Sequence, residues 1–278
     1  YKGGKSYVQQ LADYAIERHY PDLVNVENKY TEFLKSVVDR QAQLIAQWLH
    51  VGFIHGVMNT DNMAISGETI DYGPWAFLDK YDPTTVFSSI DQSGRYAYGQ
   101  QPSMAQWNLS RFAETLLEIL DNDPHKSIQI AEAELKKFPD LFMKYYYKGL
   151  REKLGLQKND PSDGELFEEL FKTMKAEELD FNWTFIQFGL GEPVLPEWQK
   201  LWKDRIQSEG RTAFDAMNDM RKFNPVIIPR NYWVEHFIDE SVKEGITADF
   251  KNYLGALKNP FNQDLLKSSW ARSPELKN

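Results

Sequence analysis

The chain has 278 residues, 42% of them hydrophobic and 26% charged, with no cysteine and a formal net charge of -9. The lack of cysteine excludes a disulfide framework, a Cys-based zinc site and a thiol nucleophile. The acidic balance argues against a broad nucleic-acid or anionic-membrane footprint, and no apolar run reaches membrane-spanning length.

The chain opens on Tyr1 rather than Met, as a fragment or processed product would. Gly4-Lys5-Ser6 resembles the end of a phosphate-binding Walker loop, but no strand leads into it, so that reading is rejected. Residues 11–19 have helical spacing and stop before Pro21. Residues 30–50 form a long amphipathic helix, with Phe33, Val37, Leu44, Ile45 and Leu49 marking its apolar stripe. It delivers the chain into the apolar run 51–54. Met63-Ala64-Ile65 and Thr69-Ile70 flank Ser66-Gly67 and are expected to form a small hairpin with Asn62 and Asp71 at its ends. Residues 79–101, rich in Gly, Ser, Asp and Tyr, read as a long loop of the kind that carries function.

Beyond residue 101 the pattern is almost wholly helical. Helices are expected over 102–120, 128–154 (as one or two), 163–179, 196–210, 213–223, 232–243 and 248–257. Residues 224–231 read as an extended connector and 267–278 as a loose tail. The expected division is 1–122 as a core with the catalytic and metal-binding loops and 123–278 as a helical extension packed on it, together forming one structural unit.

The segment 55–73, HGVMNTDNMAISGETIDYG, carries the most chemical information. Mg²⁺ bound to a nucleotide needs only one or two protein oxygens, because phosphates and water fill its other positions. Protein kinases supply them from the Asn of H-R-D-x-x-x-x-N and the Asp of D-F-G. With His55 aligned on the kinase His, Asn62 falls on that Asn, Asp71-Tyr72-Gly73 falls on D-F-G, and Val57 falls where the catalytic Asp belongs. On spacing alone, metal ligation by Asn62 and Asp71 stands level with roles as a capping Asn and a buried structural Asp. Asp61 is a candidate proton acceptor, with an Asx-turn role the more ordinary alternative. His55 reads as a brace for the loop backbone. Arg95 and Tyr96 could face a substrate, although an ion pair on a surface loop is the commoner use, and Arg230 reads as a buried hydrogen-bonding hub. The remaining histidines form no HxxxH or HExxH pattern, and there is no G-x-G-x-x-G loop and no V-A-I-K lysine.

The strings Gly52-Phe-Ile-His-Gly-Val-Met-Asn-Thr-Asp-Asn-Met63 and Thr69-Ile-Asp-Tyr-Gly-Pro74 resemble the selenoprotein O / YdiU family of pseudokinase-like protein adenylyltransferases. Further stretches continue the likeness: the segment 11–21, Gly94-Arg-Tyr-Ala-Tyr98, Trp107-Asn-Leu-Ser-Arg111, Lys153-Leu-Gly-Leu156 and Ile228-Pro-Arg-Asn231. The resemblance implies a mainly α fold: a protein-kinase-like C-terminal lobe with a small β-hairpin at the catalytic loop and a C-terminal helical extension, the N-lobe being absent. It implies transfer of AMP from ATP to Ser, Thr or Tyr hydroxyls of proteins, with Asp61 as proton acceptor, Asn62 and Asp71 as ligands of Mg²⁺ or Mn²⁺, and Asp71 also close to the nucleotide. The implied partners are ATP and hydroxyl-bearing protein substrates, with neither nucleic acid nor membrane. The implied location is cytoplasmic in a bacterium or mitochondrial in a eukaryote. The family's phosphate-gripping Lys, its partner Glu and its nucleotide-contacting Arg residues have no counterpart here, so the segment alone is expected to be inactive. A small-molecule kinase and a non-catalytic helical interaction module are the competing readings.

Overall fold

A computed structural model describes residues 4–272. The first helix, α1 (Gly4–His19), starts seven residues earlier than its apolar spacing indicates and stops before a short 3₁₀ turn at Pro21–Leu23. It leads to α2 (Lys29–Val51), whose buried stripe includes Phe33, Leu34, Val37, Val38, Ala42 and Ile45. Gly52 ends α2 in the left-handed conformation at φ 75°. A Cβ there would lie 2.9 Å from the Phe181 ring, so both backbone and packing require glycine.

Two short antiparallel strands follow, β1 (Phe53–Ile54) and β2 (Ala76–Phe77), with Phe53 opposite Phe77 and Ile54 opposite Ala76. One enters and the other leaves the segment 55–75, so this small sheet closes its base. The hairpin expected at 63–70 is reduced to a single antiparallel bridge, Met63 to Thr69. Its carbonyls are taken by side chains instead of a ladder. Gln41 Nε2 donates to Ala64 O at 2.6 Å, Tyr20 Oη donates to Ile65 O, and Arg40 donates to Ser66 O at 3.1 Å.

The long loop ends in a 3₁₀ turn, and α3 (Gln101–Leu120) then lies against α1 and α2. The region 128–154 is two helices, α4 (Pro124–Leu135) and α5 (Phe138–Lys153), and α5 packs along α2. Next come α6 (Asp163–Ala176), α7 (Phe181–Leu190), α8 (Pro196–Ser208) and α9 (Ala213–Phe223). The sequence pattern gives no sign of α7, because eight of its ten residues are buried and it presents no polar face. One hydrophobic core runs from Ala12 in α1 to Met220 in α9.

The C-terminal part contains α10 (Asn231–Glu244) and α11 (Ala248–Leu257) around a smaller cluster of Ile227, Phe237 and Tyr253. Arg230 is the expected hub: it is 1% exposed and pairs with Asp79 and, at 2.7 Å, with Asp180, which also caps α7 through Trp183 N. The tail is not loose as far as residue 272. Trp270 packs edge-on to Tyr253 and Ala271 is buried; residues 273–278 lie outside the described residues. No helix among the described residues is long and apolar enough to cross a membrane.

Candidate functional site

The segment 55–71 is anchored at its start. His55 is 1% exposed and stacks on Trp48 with ring centroids 5.5 Å apart. Its backbone N–H donates to Gln101 Oε1 at 3.0 Å, while Gln101 Nε2 donates to Phe53 O at 2.9 Å. Gly56 follows at φ 85°, and a Cβ there would meet the Pro74 carbonyl oxygen at 2.7 Å, so the two ends of the segment pass at backbone contact.

His55 Nε2 lies 2.8 Å from the carbonyl oxygen of Ile70. A carbonyl only accepts, so Nε2 carries the hydrogen and Nδ1 is left to accept from Val57 N–H at 3.4 Å. The ring is committed on both nitrogens and acts as the expected brace. From the other side, Asn62 Nδ2 donates to Val57 O at 2.9 Å. Asn62 and the residue preceding Asp71 are therefore tied to the same three-residue stretch, 55–57.

This anchoring fixes what the polar groups can do. With its nitrogen used, half-buried Asn62 keeps its Oδ1 as an acceptor for a ligand. Asp71 is exposed and sits at φ 55°, one of two non-glycine residues with positive φ among the described residues. That conformation costs on the order of 1 kcal/mol for a residue with a Cβ, and such strain concentrates at functional positions. The Asp71 carboxylate makes no hydrogen bond or ion pair with another described residue. Neither does Asp61, exposed on the 3₁₀ turn Thr60–Asn62. An amide oxygen and a carboxylate are both hard-oxygen donors, the type taken by a cation that also carries phosphate and water ligands. No group of three or more His, Asp or Glu among the described residues could hold a metal ion.

The loop 91–96 leans on this segment. Tyr96 Oη donates to Asn59 Oδ1 at 2.7 Å. Asp91 accepts from the backbone of Arg95 at 2.9 Å and of Tyr96 at 2.7 Å. Partial desolvation opposes the charge on Asp91, but these amides outweigh it and hold the carboxyl below its usual range. Arg95 forms no ion pair with a described residue; its guanidinium lies 4.9 Å from the centroid of half-exposed Trp107.

Three residues that the sequence reading leaves without a role hold the site from behind. Gln41 on α2 holds Ala64, and Gln101 and Asn108 on α3 hold Phe53, His55 and Met58; Asn108 Nδ2 donates to Met58 O at 2.9 Å. All three are buried amides on otherwise apolar helix faces. That break in the stripe is the signal that could have found them.

Comparison with known proteins adds an independent line. The profile of the family described as "Protein adenylyltransferase SelO" matches residues 1–258. A protein named "Protein nucleotidyltransferase YdiU" from Clostridium perfringens is 47% identical over 96% of this chain and 56% of its own length. Proteins of the same name from Shouchella clausii and Anoxybacillus flavithermus are 44% and 46% identical over 99% and 98% of this chain, each with 58% of its own length covered. The chain thus spans a little over half the length of these relatives.

Proposed function

The chain belongs to the SelO protein adenylyltransferase family, and from that premise we propose that segment 55–73 is the metal- and nucleotide-contacting part of a site that moves AMP from ATP to Ser, Thr or Tyr hydroxyls of proteins. The observation that carries this reading is the joint anchoring of Asn62 and Ile70-Asp71 on residues 55–57, which leaves one amide oxygen and one strained carboxylate without a protein partner. The fold in this reading is a kinase-like C-terminal lobe, 1–122, with 123–278 packed on it as one unit. The core shared by α1 to α9 supports that arrangement. No G-x-G-x-x-G phosphate loop occurs in these 278 residues.

Asn62 Oδ1 and the Asp71 carboxylate would hold Mg²⁺ or Mn²⁺, which supplies neutralisation of phosphate charge. Asp71 also lies next to the nucleotide. Asp61 accepts the proton of the acceptor hydroxyl. The hydroxyl oxygen forms a bond to the α-phosphorus, the bond from that phosphorus to the pyrophosphate oxygen breaks, and pyrophosphate leaves with the electron pair. Transfer at the α-phosphorus, not the γ, moves the attacking hydroxyl away from the kinase base position, which is consistent with Val57 standing there.

The test uses the whole protein that carries this segment, incubated with ATP, Mg²⁺ and a protein acceptor, with intact-mass measurement of the acceptor. A mass gain of one adenylyl group, lost with Asp61→Asn and with Asp71→Ala, is expected. Addition of a phosphoryl group alone would reject the reading.

A further inference from the structure

Arg95 and Tyr96, which the transfer chemistry leaves unused, stand beside the turn that carries Asp61. The loop 91–96 is held in place by its own bonds. Asp91 accepts from the backbone N–H of Arg95 and of Tyr96, and Ala97 N–H donates to Gly94 O at 3.1 Å. Tyr96 Oη ties the loop to Asn59, just before Thr60 and Asp61. From the α3 side, Arg111 and Thr60 line one shared cavity, which sets α3 against the same turn. Trp107, 43% exposed on α3, has the Arg95 guanidinium 4.9 Å and the Arg111 guanidinium 5.5 Å from its ring centroid. The two cations differ in what they have left to give. Arg111 pairs with Glu114 at 2.6 Å. The Asp91 carboxylate is spent on the amides of Arg95 and Tyr96, and the Arg95 guanidinium pairs with no acidic group among the described residues.

We propose that Arg95, on its Trp107 platform, recognises an Asp or Glu side chain of the protein acceptor, a few residues from the hydroxyl that receives AMP. This rests on the transfer reading above and adds to it the chemistry of the acceptor segment. A guanidinium over an aromatic ring keeps its N–H groups in its own plane and can give two of them to one carboxylate, which a lysine cannot. A single uncommitted cation suits a single carboxylate. A phosphate carries nearly two charges and would also call on Arg111, already taken by Glu114. The chain as a whole repels an acidic partner, with a net charge of -9 and with Asp61 and Asp71 both exposed at the loop. Arg95 is a local reversal of sign beside that acidic site, so an acidic acceptor segment is held in one orientation instead of being turned away. An extended peptide advances about 3.3 Å per residue, which puts the recognised carboxylate roughly two to four positions from the acceptor hydroxyl.

The whole protein that carries this segment is given Mg²⁺, ATP labelled at the α-phosphate, and synthetic peptides with one Ser, Thr or Tyr in neutral flanks. A single Glu is moved along both flanks and compared with Gln at the same place. At one or two positions Glu is expected to raise kcat/KM about three- to tenfold over Gln, through the peptide KM. Arg95→Gln brings that ratio to about one, and Arg95→Glu turns the preference toward Lys at the same position. Labelled peptides with no preference for Glu, or a preference that survives Arg95→Gln, would overturn the proposal and leave the transfer reading in place. A fall in ATP affinity that is equal with Glu and Gln peptides would overturn it too, by assigning Arg95 to the nucleotide. Peptides that take no label at all would reject the transfer reading, and this proposal with it.

Discussion

The imidazole of His55 donates from Nε2 to the carbonyl of Ile70 across 2.8 Å, so the first residue of the loop holds the residue just before Asp71. Fourteen intervening residues are closed by one buried ring. The same ring takes Val57 N–H, and Val57 O takes Asn62. The two candidate metal ligands therefore share one anchor.

Replacing His55 with Leu keeps bulk against Trp48 but removes both hydrogen bonds. The expected cost is about 2–4 kcal/mol of unfolding free energy, because polar backbone groups lose their partners in a buried setting. Mg²⁺-ATP binding by the whole protein is expected to weaken with it, although His55 touches no ligand. Urea denaturation and calorimetric titration measure the two effects; unchanged stability would show that His55 is not the brace.

Gln101 bridges the strand and the loop by giving a hydrogen bond to Phe53 O and taking one from His55 N. Gln101→Met preserves length and volume and leaves both backbone groups unpaired. A loss of about 2–4 kcal/mol is expected from urea denaturation. A change within about 0.5 kcal/mol, the range of an ordinary surface substitution, would contradict the assignment.

Gly149 is the point where α5 meets α2. A Cβ at this position would fall inside contact distance of the His50 ring, which stacks on Tyr146 and reaches the Tyr146 carbonyl at 2.9 Å through Nε2. Gly149→Ala is expected to lower stability by about 1–3 kcal/mol by overpacking, despite the helix propensity that alanine adds. Thermal unfolding of the two proteins decides it, and a stabilised variant would sink the claim.

Lys153 is buried, donates to Asn224 Oδ1 at 2.7 Å and lies 4.0 Å from the Phe185 ring centroid. Desolvation pushes its pKa down to about 7, from 10.5 when exposed. Between those values the unfolded chain holds the proton and the folded chain does not, so stability rises with pH across that window; below pH 7 the cost of burying the ammonium is present in full. The urea midpoint is therefore expected to rise from pH 7 to 10, and Lys153→Met is expected to flatten that rise. Parallel profiles for the two proteins would rule out Lys153 as its source.

The sequence shows the long helix α2, the Asn62/Asp71 spacing and the bracing role of His55, because each leaves a local pattern. It hides α7, eight of whose ten residues are buried. It suggests a hairpin at 63–70 because alternating apolar residues cannot reveal that Tyr20, Arg40 and Gln41, distant in sequence, take the carbonyls that a ladder would use. Gln41, Gln101 and Asn108 show in the sequence only as breaks in an apolar stripe; their partners are set by how α2 and α3 pack around the loop. Asp71 is legible as a residue type, but its left-handed backbone is a product of the closed loop.

The central claim is that segment 55–73 serves a transfer at the α-phosphorus. The most direct measurement incubates the whole protein carrying this segment with a protein acceptor and Mg²⁺, using ATP labelled at the α-phosphate in one arm and at the γ-phosphate in the other. The account predicts label on the acceptor from the α-phosphate alone, lost with Asn62→Ala and with Asp71→Ala. Label arriving from the γ-phosphate, or α-label that survives both substitutions, would contradict it.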